Sequence, residues 1–177
     1  MRHEELISSD MIFNKLVEVA EIIGALHKSK ELVVIGVLNG SYMLVADFVR
    51  LLNKYFKSIV VDFIRVHSYG DGTVSNKTPR ICSDVTVPIK DKEILIVDDI
   101  IDTGYSLQAV IEHMMKKEPY SIATFVLLNK LGRREVNVEP GWVGFEVPNE
   151  FVVGYGLDYA GKYRSLDHIE ILTDVPD

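Results

Sequence analysis

The stretch ILIVDDIIDTGYSL, residues 94–107, restricts the fold more than any other part of the chain. Its apolar run leads directly into Asp98 and Asp99, and then through Asp102 and Gly104 into a segment that can open a helix. A continuous apolar run is typical of a parallel strand with both faces buried. A buried strand, a glycine turn and a helix form the repeating unit of α/β proteins, so this stretch predicts that fold class.

The rest of the chain repeats this alternation. Helical spacing of apolar residues predicts helices at 10–28, capped by Ser9 or Asp10, after the turn 39–41 up to about Asn53, and at 106–117. Strands are predicted at 31–38, 58–68, 81–88, 93–99, 121–130, 142–147, 151–156 and 168–173. The segment 69–80 has few side chains that can pack and is interpreted as a mobile loop. We therefore expect an α/β domain over 1–177 with a mostly parallel twisted sheet flanked by helices.

Composition excludes several classes of function. The net charge of −7 argues against non-specific binding to nucleic acid or to anionic membranes. The first ten residues have no apolar signal-peptide core, and no apolar run approaches the roughly 20 residues that span a bilayer. The single cysteine, Cys82, rules out an internal disulfide and suits a reducing compartment. We expect a cytoplasmic protein that acts on small molecules.

The turn after residue 101 has the properties of an anion site. Gly104 permits close backbone approach, Thr103 and Ser106 offer hydroxyl donors, and the following helix presents its N–H groups. Asp98 and Asp99 would repel a phosphate, but they suit sugar hydroxyls or a hydrated Mg²⁺. A ribose phosphate has both features. The alternative is that the two carboxylates are only a polar exit from a core strand, next to a capped helix.

The whole string 94–107 resembles the phosphoribosyl-pyrophosphate (PRPP) signature of the type I phosphoribosyltransferases. The remainder is similar to the hypoxanthine-guanine members of that family, through VLNGS at 37–41, HSYGDG at 67–72, LLNK at 127–130 and the segment 143–169. The likeness covers nearly all of the chain after about residue 30. It implies the type I phosphoribosyltransferase fold, with a small C-terminal hood over the sheet.

The resemblance implies roles for the residues on the PRPP side. Asp98, where the family often has Glu, and Asp99 are expected to bind the ribose hydroxyls and a Mg²⁺, and Asp102 is expected to be the general acid/base. The 5′-phosphate is expected to bind at Asp102, Thr103, Gly104, Tyr105 and Ser106, with the backbone rather than the side chain acting at residue 105. Pyrophosphate is expected to contact Leu38, Asn39, Gly40, Ser41 and Arg164.

The same resemblance assigns the base side of the site. Lys130 would donate to the 6-oxo group of the purine, which discriminates against adenine. Phe151 would stack on the base, Val152 would offer backbone contacts, and Asp158 would lie nearby and ligate a second Mg²⁺. Ser68 and Tyr69 would begin the mobile loop that closes over the site. The expected reaction converts a 6-oxopurine and PRPP into a nucleotide and pyrophosphate.

One residue departs from the family pattern. The second position of the pyrophosphate loop usually carries Lys or Arg, whereas this chain has Asn39. The backbone N–H groups of that loop can still donate, so we expect PRPP binding that is retained but weaker. The relatives form dimers or tetramers, so a homodimer or homotetramer is expected. The preference among hypoxanthine, guanine and xanthine stays open.

Two other families share features with this sequence. Response-regulator receiver domains also contain ILIVDD, but near their N-terminus and followed by a strand-ending Asp, which the region GFEVPNE does not supply. Some proteins of the phosphoribosyltransferase fold bind RNA and regulate transcription. The acidic charge and the lack of a basic, aromatic patch argue against that role, and GRR at 132–134 is interpreted as a solvated loop. The sequence therefore favours an enzyme.

Overall fold

The larger sheet of the protein has the order β4-β3-β2-β5-β6-β7, and in the computed structural model every neighbouring pair except β3–β4 is parallel. The structure describes residues 2–27, 31–67, 79–130 and 132–173. Its elements are β1 (Arg2–Ile7), α1 (Ser9–Leu26), β2 (Glu31–Leu38), α2 (Tyr42–Leu52), β3 (Ser58–His67), β4 (Arg80–Ser83), β5 (Glu93–Ile101), α3 (Tyr105–Met115), β6 (Ser121–Lys130), β7 (Trp142–Val147), β8 (Phe151–Val153) and β9 (Ile169–Thr173). The predicted α/β class is confirmed.

Helices cover the parallel sheet on both faces, which is why its central strands are apolar throughout. On one face Val34 and Leu95 join a core cluster with α1 and α2, where Phe48 packs on Phe125 with 4.8 Å between ring centroids. On the other face alternate strand residues, such as Ile35, pack under α3. Successive side chains of a strand point to opposite faces, so two buried faces require an unbroken apolar run. None of the helices in the described ranges is long and apolar enough to cross a membrane.

A small antiparallel sheet, β1-β9-β8, forms the hood beside the larger one. Its first strand, β1, was not predicted, because the charged letters of RHEELI give no clear strand pattern. The structure pairs β1 with β9, from Arg2 opposite Thr173 to Ile7 opposite Ile169. The hood therefore unites the two termini of the described chain, a contact that local sequence does not reveal.

Several predicted boundaries differ from the structure, among them the end of β5, which was predicted at residue 99 and lies at Ile101, and three have identifiable reasons. Ser8, not Ser9 or Asp10, caps α1 by accepting a hydrogen bond from the Met11 N–H at 3.3 Å. The strand predicted at 81–88 ends at residue 83, since the Asp62 carboxylate binds the backbone N–H groups of residues 86 and 87. The strand predicted at 151–156 ends at residue 153, where three consecutive residues with positive φ begin. The predicted loop 69–80 lies almost wholly outside the described residues.

A cluster of histidines and carboxylates joins β1 to β9. Glu170 lies 2.7 Å from His3 Nδ1 and 3.0 Å from His168 Nε2, and His168 Nδ1 lies 2.8 Å from Asp167. Hydrogen bonds to Asp167 and Glu170 raise the pKa of His168 above its ordinary 6.5. Hydrogen bonds from His168 and His3 lower the pKa of Glu170 below its ordinary 4.5.

These shifts predict how the stability of the fold depends on pH. The His168 contribution is complete below pH 6.5 and is lost as the pH rises through its raised pKa. The Glu170 contribution is complete above pH 4.5 and is lost as the pH falls through its lowered pKa. Both are present between these values. We expect the urea-unfolding free energy to decline as the pH rises above about 6.5, and His168→Gln to flatten that decline. An unchanged slope in the variant would contradict the assignment.

Candidate active site

A cavity of about 550 Å³ opens at the carboxyl ends of β2, β5 and β6, the edge at which α/β proteins bind ligands. Most of the residues predicted from the sequence line it: Leu38, Asn39, Gly40, Asp98, Asp99, Asp102, Thr103, Gly104, Ser106, Lys130, Phe151, Val152, Asp158 and Arg164. Ser41 and Tyr105 flank the cavity without lining it. Ser68 and Tyr69 lie outside the described residues. The fold thus gathers side chains from distant parts of the chain around one space.

The acidic pair lies at the floor of this cavity. Asp98 is 6% exposed, and its Oδ1 accepts a hydrogen bond from the Asp99 N–H at 3.0 Å. Burial, and then the charge of Asp99, raises the pKa of Asp98 well above its usual range. Burial also raises the pKa of Asp99, although the charge of Arg164 opposes that shift. Two buried carboxylates that repel each other are suited to bind a cation or hydroxyl groups.

The donor set fits a Mg²⁺ that shares its ligands with substrate. Asp98 and Asp99 offer oxygen atoms, which are the donors that Mg²⁺ prefers, but the described residues contain no cluster of three or more His, Cys, Asp or Glu side chains able to hold a metal. Asp158 is already engaged, since Oδ1 lies 2.7 Å from Arg164 Nη2 and Oδ2 accepts from the Gly161 N–H at 2.7 Å. A metal at Asp158 would compete with the guanidinium.

The turn before α3 lies where the sequence predicts an anion cradle. Gly104 is the N-cap of α3 with φ of +92°, and a Cβ there would lie 2.8 Å from Val138 and 2.9 Å from Val136. Glycine is therefore needed both for its backbone angle and for space. The Tyr105 hydroxyl donates to Glu135 at 3.3 Å, outside the cavity lining. That the backbone, rather than the side chain, acts at residue 105 stays a prediction.

The loop after β2 brings backbone groups to the cavity. The Leu38–Asn39 peptide bond is cis. Ser41 is fully buried, and its Oγ donates to the Val37 carbonyl at 2.7 Å, so its hydroxyl serves the loop itself. A Cβ added to Gly40 would collide with the Asp99 carboxylate. This loop and the Asp99 carboxylate are therefore in direct contact.

The part of the cavity predicted to bind the base combines one buried cation with apolar groups. Lys130 is 9% exposed, and its Nζ lies 3.9 Å from Asp102 Oδ2. Burial lowers the pKa of Lys130 below its ordinary value, while the charge of Asp102 opposes the shift. Val152 is buried, whereas Phe151 is 41% exposed with its ring edge-on to Tyr159. Phe151 thus offers an accessible aromatic surface at the mouth of the cavity.

The structure adds residues that sequence reasoning missed. Tyr155 is buried and donates its hydroxyl to Asp47 at 2.7 Å, tying the turn at 154–156 to α2. The Arg164 guanidinium donates to the Gly156 carbonyl at 2.5 Å and so holds the other end of that turn. The sequence signal for this unusual turn was GYG at 154–156, a tyrosine between two glycines. All three residues have positive φ in the structure.

The run at 132–134 is an exposed loop, as predicted, but its arginines are engaged with protein groups rather than only with solvent. Arg134 donates to the Asn129 side chain at 2.7 Å and to the Val138 carbonyl at 3.2 Å. Arg133 Nε lies 3.0 Å from Asp102 Oδ1. The signal in the sequence was a pair of arginines three and four residues beyond the strand-ending Lys130.

Residues 8–160 match the family described as phosphoribosyl transferase domain. The hypoxanthine phosphoribosyltransferase of Haemophilus influenzae is 44% identical over 93% of this chain and 92% of its own length. A structure of Bacillus anthracis hypoxanthine-guanine phosphoribosyltransferase covers 96% of this chain and 98% of its own at 36% identity, with a TM-score of 0.87. The Trypanosoma cruzi hypoxanthine phosphoribosyltransferase in complex with the product IMP gives a TM-score of 0.88 at 36% identity, covering 96% and 94%.

Proposed function

The chain belongs to the phosphoribosyl transferase domain family, and on that premise we propose that it is a hypoxanthine-guanine phosphoribosyltransferase of purine salvage. Such an enzyme transfers the 5-phosphoribosyl group of PRPP to a 6-oxopurine, giving IMP or GMP and pyrophosphate. The observation that carries the proposal is the meeting of Lys130 with Asp102, at 3.9 Å, in the cavity that also holds the acidic pair. Sequence relatives supply the family, and this geometry supports the chemistry.

The proposed mechanism assigns each side chain a task. Lys130 donates to the 6-oxo group and Asp102 takes the proton of the purine nitrogen as the glycosidic bond forms. The negative charge of Asp98 and Asp99 suits the positive charge that grows on the ribose in an oxocarbenium-like transition state. Arg164 and the backbone of residues 38–41 would receive the charge of the departing pyrophosphate.

Mg²⁺ is part of the proposal. When bound, it would supply charge neutralisation at the pyrophosphate, a form of electrostatic stabilisation that needs no proton transfer. Asp98 and Asp99 would hold it together with substrate oxygens. The role of Asp158 as ligand of a second Mg²⁺ stays a proposal, which requires the Asp158–Arg164 pair at 2.7 Å to rearrange.

The test is an absorbance assay of the purified protein with PRPP and Mg²⁺, in which hypoxanthine, guanine, xanthine and adenine are offered separately. Turnover of 6-oxopurines without turnover of adenine supports the proposal and ranks the substrates. The absence of turnover with every base, in protein whose folding is verified by circular dichroism, would contradict it.

Asn39 provides a prediction about PRPP affinity. It is exposed beside Gly40 in the cavity lining, where a longer cationic side chain could reach the pyrophosphate. We expect Asn39→Arg to lower KM for PRPP about two- to tenfold, because a charge-assisted hydrogen bond in a partly solvated site contributes on the order of 1 kcal/mol. KM for hypoxanthine should stay the same. Asn39→Gln is the uncharged control, and an unaltered KM for PRPP in Asn39→Arg would refute the idea.

The proposal also covers the oligomeric state of the protein, its cellular location and the extent of its domain. We propose a homodimer or homotetramer that acts in the cytoplasm, with residues 1–177 as one domain. Large apolar side chains on α1 are exposed, including Phe13 at 56% and Leu26 at 64%, which supports an interface on that helix. Light scattering of the eluting protein measures the number of subunits, and a monomeric mass would exclude the oligomer.

A further inference from the structure

Arg133 lies against the proposed general acid/base from a loop that follows β6. We propose that Arg133 is a positioning residue that holds the Asp102 carboxylate in the orientation needed for proton transfer. The inference rests on the proposed function and extends it, because neither the sequence motifs nor the family resemblance assigned this arginine a role.

Arg133 contacts one oxygen of the Asp102 carboxylate, and the other oxygen faces the part of the cavity proposed to bind the base. Asp102 Oδ1 is enclosed by protein, and Arg133 Nε lies 3.0 Å away from it. The Nε–H of Arg133 is not aligned with Asp102 Oδ1, so the contact is an ion pair without a hydrogen bond. Asp102 Oδ2 lies 3.9 Å from Lys130 Nζ, the group expected to meet the 6-oxo atom. Arg133 therefore lies beside one oxygen of the Asp102 carboxylate and Lys130 lies beside the other.

A second contact fixes Arg133 itself. Its Nη1 donates to the Asn149 side chain at 3.4 Å, in the turn that immediately precedes the base-stacking strand β8. The guanidinium thus joins the loop after β6, the turn before β8 and Asp102. An enclosed carboxylate oxygen is costly to leave without a partner, and the Arg133 guanidinium is the cation beside Oδ1. Because the Arg133 side chain is 46% exposed, its removal leaves no large cavity in the core.

The test is a double-mutant cycle in the phosphoribosyl-transfer assay. The variants are Arg133→Met, which keeps much of the aliphatic length, Asp102→Asn, and the two combined. We expect Arg133→Met to lower kcat about 10- to 100-fold, since misplacement of a catalytic group by about 1 Å has effects of this size. KM for PRPP should change less than about twofold, because Arg133 contacts the Asp102 side chain, whereas the proposed 5′-phosphate contacts come from the backbone and hydroxyl groups of the turn that follows.

The cycle separates positioning from a general structural role. If Arg133 acts through Asp102, Arg133→Met should change kcat less than about twofold in the Asp102→Asn background. Arg133→Lys, which restores a cation, should recover most of the activity. Arg50→Met is the matched control, since Arg50 is 70% exposed on α2 and paired with Asp47, and it should retain wild-type kcat.

Each outcome is decisive. Equal losses from Arg133→Met in both backgrounds, or wild-type kcat in Arg133→Met, would overturn the inference while leaving the proposed function intact. A wild-type protein without turnover on any 6-oxopurine would overturn the proposed function, and the inference with it. Unfolding midpoints of all variants, measured by urea, identify any loss that comes from the fold.

Discussion

Replacement of Asp102 by Asn is expected to lower kcat roughly 10²- to 10⁴-fold, the contribution typical of general acid/base catalysis. Asn has nearly the same shape as Asp but cannot take a proton from the purine nitrogen. KM for hypoxanthine should change little, since Lys130, Phe151 and Val152 supply the expected base contacts. Steady-state kinetics with hypoxanthine and saturating PRPP measures both constants.

Asp102→Glu serves as the companion variant, because it keeps the acid and lengthens the side chain by one methylene. Activity above that of Asp102→Asn would show that the carboxyl group matters. The Asn amide has a single oxygen, which can face Arg133 or Lys130 but not both, so the urea-unfolding midpoint of the variant is measured to show whether the fold persists. Wild-type kcat in Asp102→Asn would remove this residue from the mechanism.

Replacement of Gly40 by Ala is expected to reduce kcat/KM for PRPP about 100-fold or more, the effect of displacing groups at a site by about 1 Å. The added Cβ would occupy the space of the Asp99 carboxylate. The turn at Gly156 closes the other side, since a Cβ on that residue would collide with the Gly40 carbonyl. With both sides blocked, either the loop or Asp99 has to move, and both belong to the proposed PRPP site.

Gly141→Ala is the matched control for this change. The added Cβ would lie 3.2 Å from the Thr124 carbonyl, a contact that a small shift relieves. Gly141 directly precedes β7, so it lies at the amino ends of the parallel strands, opposite the cavity. It should keep full activity. Unfolding midpoints of both variants show whether a loss in Gly40→Ala reflects the site or the fold. Undiminished kcat/KM for PRPP in Gly40→Ala would mean that contact with Asp99 is irrelevant to substrate binding.

Much of the architecture was predictable because it depends on local pattern. The apolar runs at β2, β5 and β6 are buried on both faces, and such strands carry their signature in consecutive letters. The position of Lys130 at the end of β6 and of Gly104 in the turn before α3 followed from the same pattern, whereas β5 continues three residues past Asp98 to Ile101. Predicted strand ends were wrong where a side chain distant in sequence binds the backbone, as Asp62 does after β4.

The hood shows the limit of this reasoning. Strand β1 pairs with β9 across most of the chain, from Arg2 to Thr173, and nothing in RHEELI indicates its partner. The Tyr155–Asp47 hydrogen bond spans 108 positions and likewise has no local signal. Pairing between remote segments depends on where the intervening chain returns, which only the assembled fold determines.

The sequence alone determined the α/β class, the types of chemical group at the site and the family resemblance, because short-range patterns and motifs encode them. Only the tertiary structure decided which groups touch: Gly40 against Asp99, Arg133 beside Asp102, and Tyr155 hydrogen-bonded to Asp47. Such contacts form between segments far apart in the chain, and their distances are set by the packing of the whole sheet and its helices.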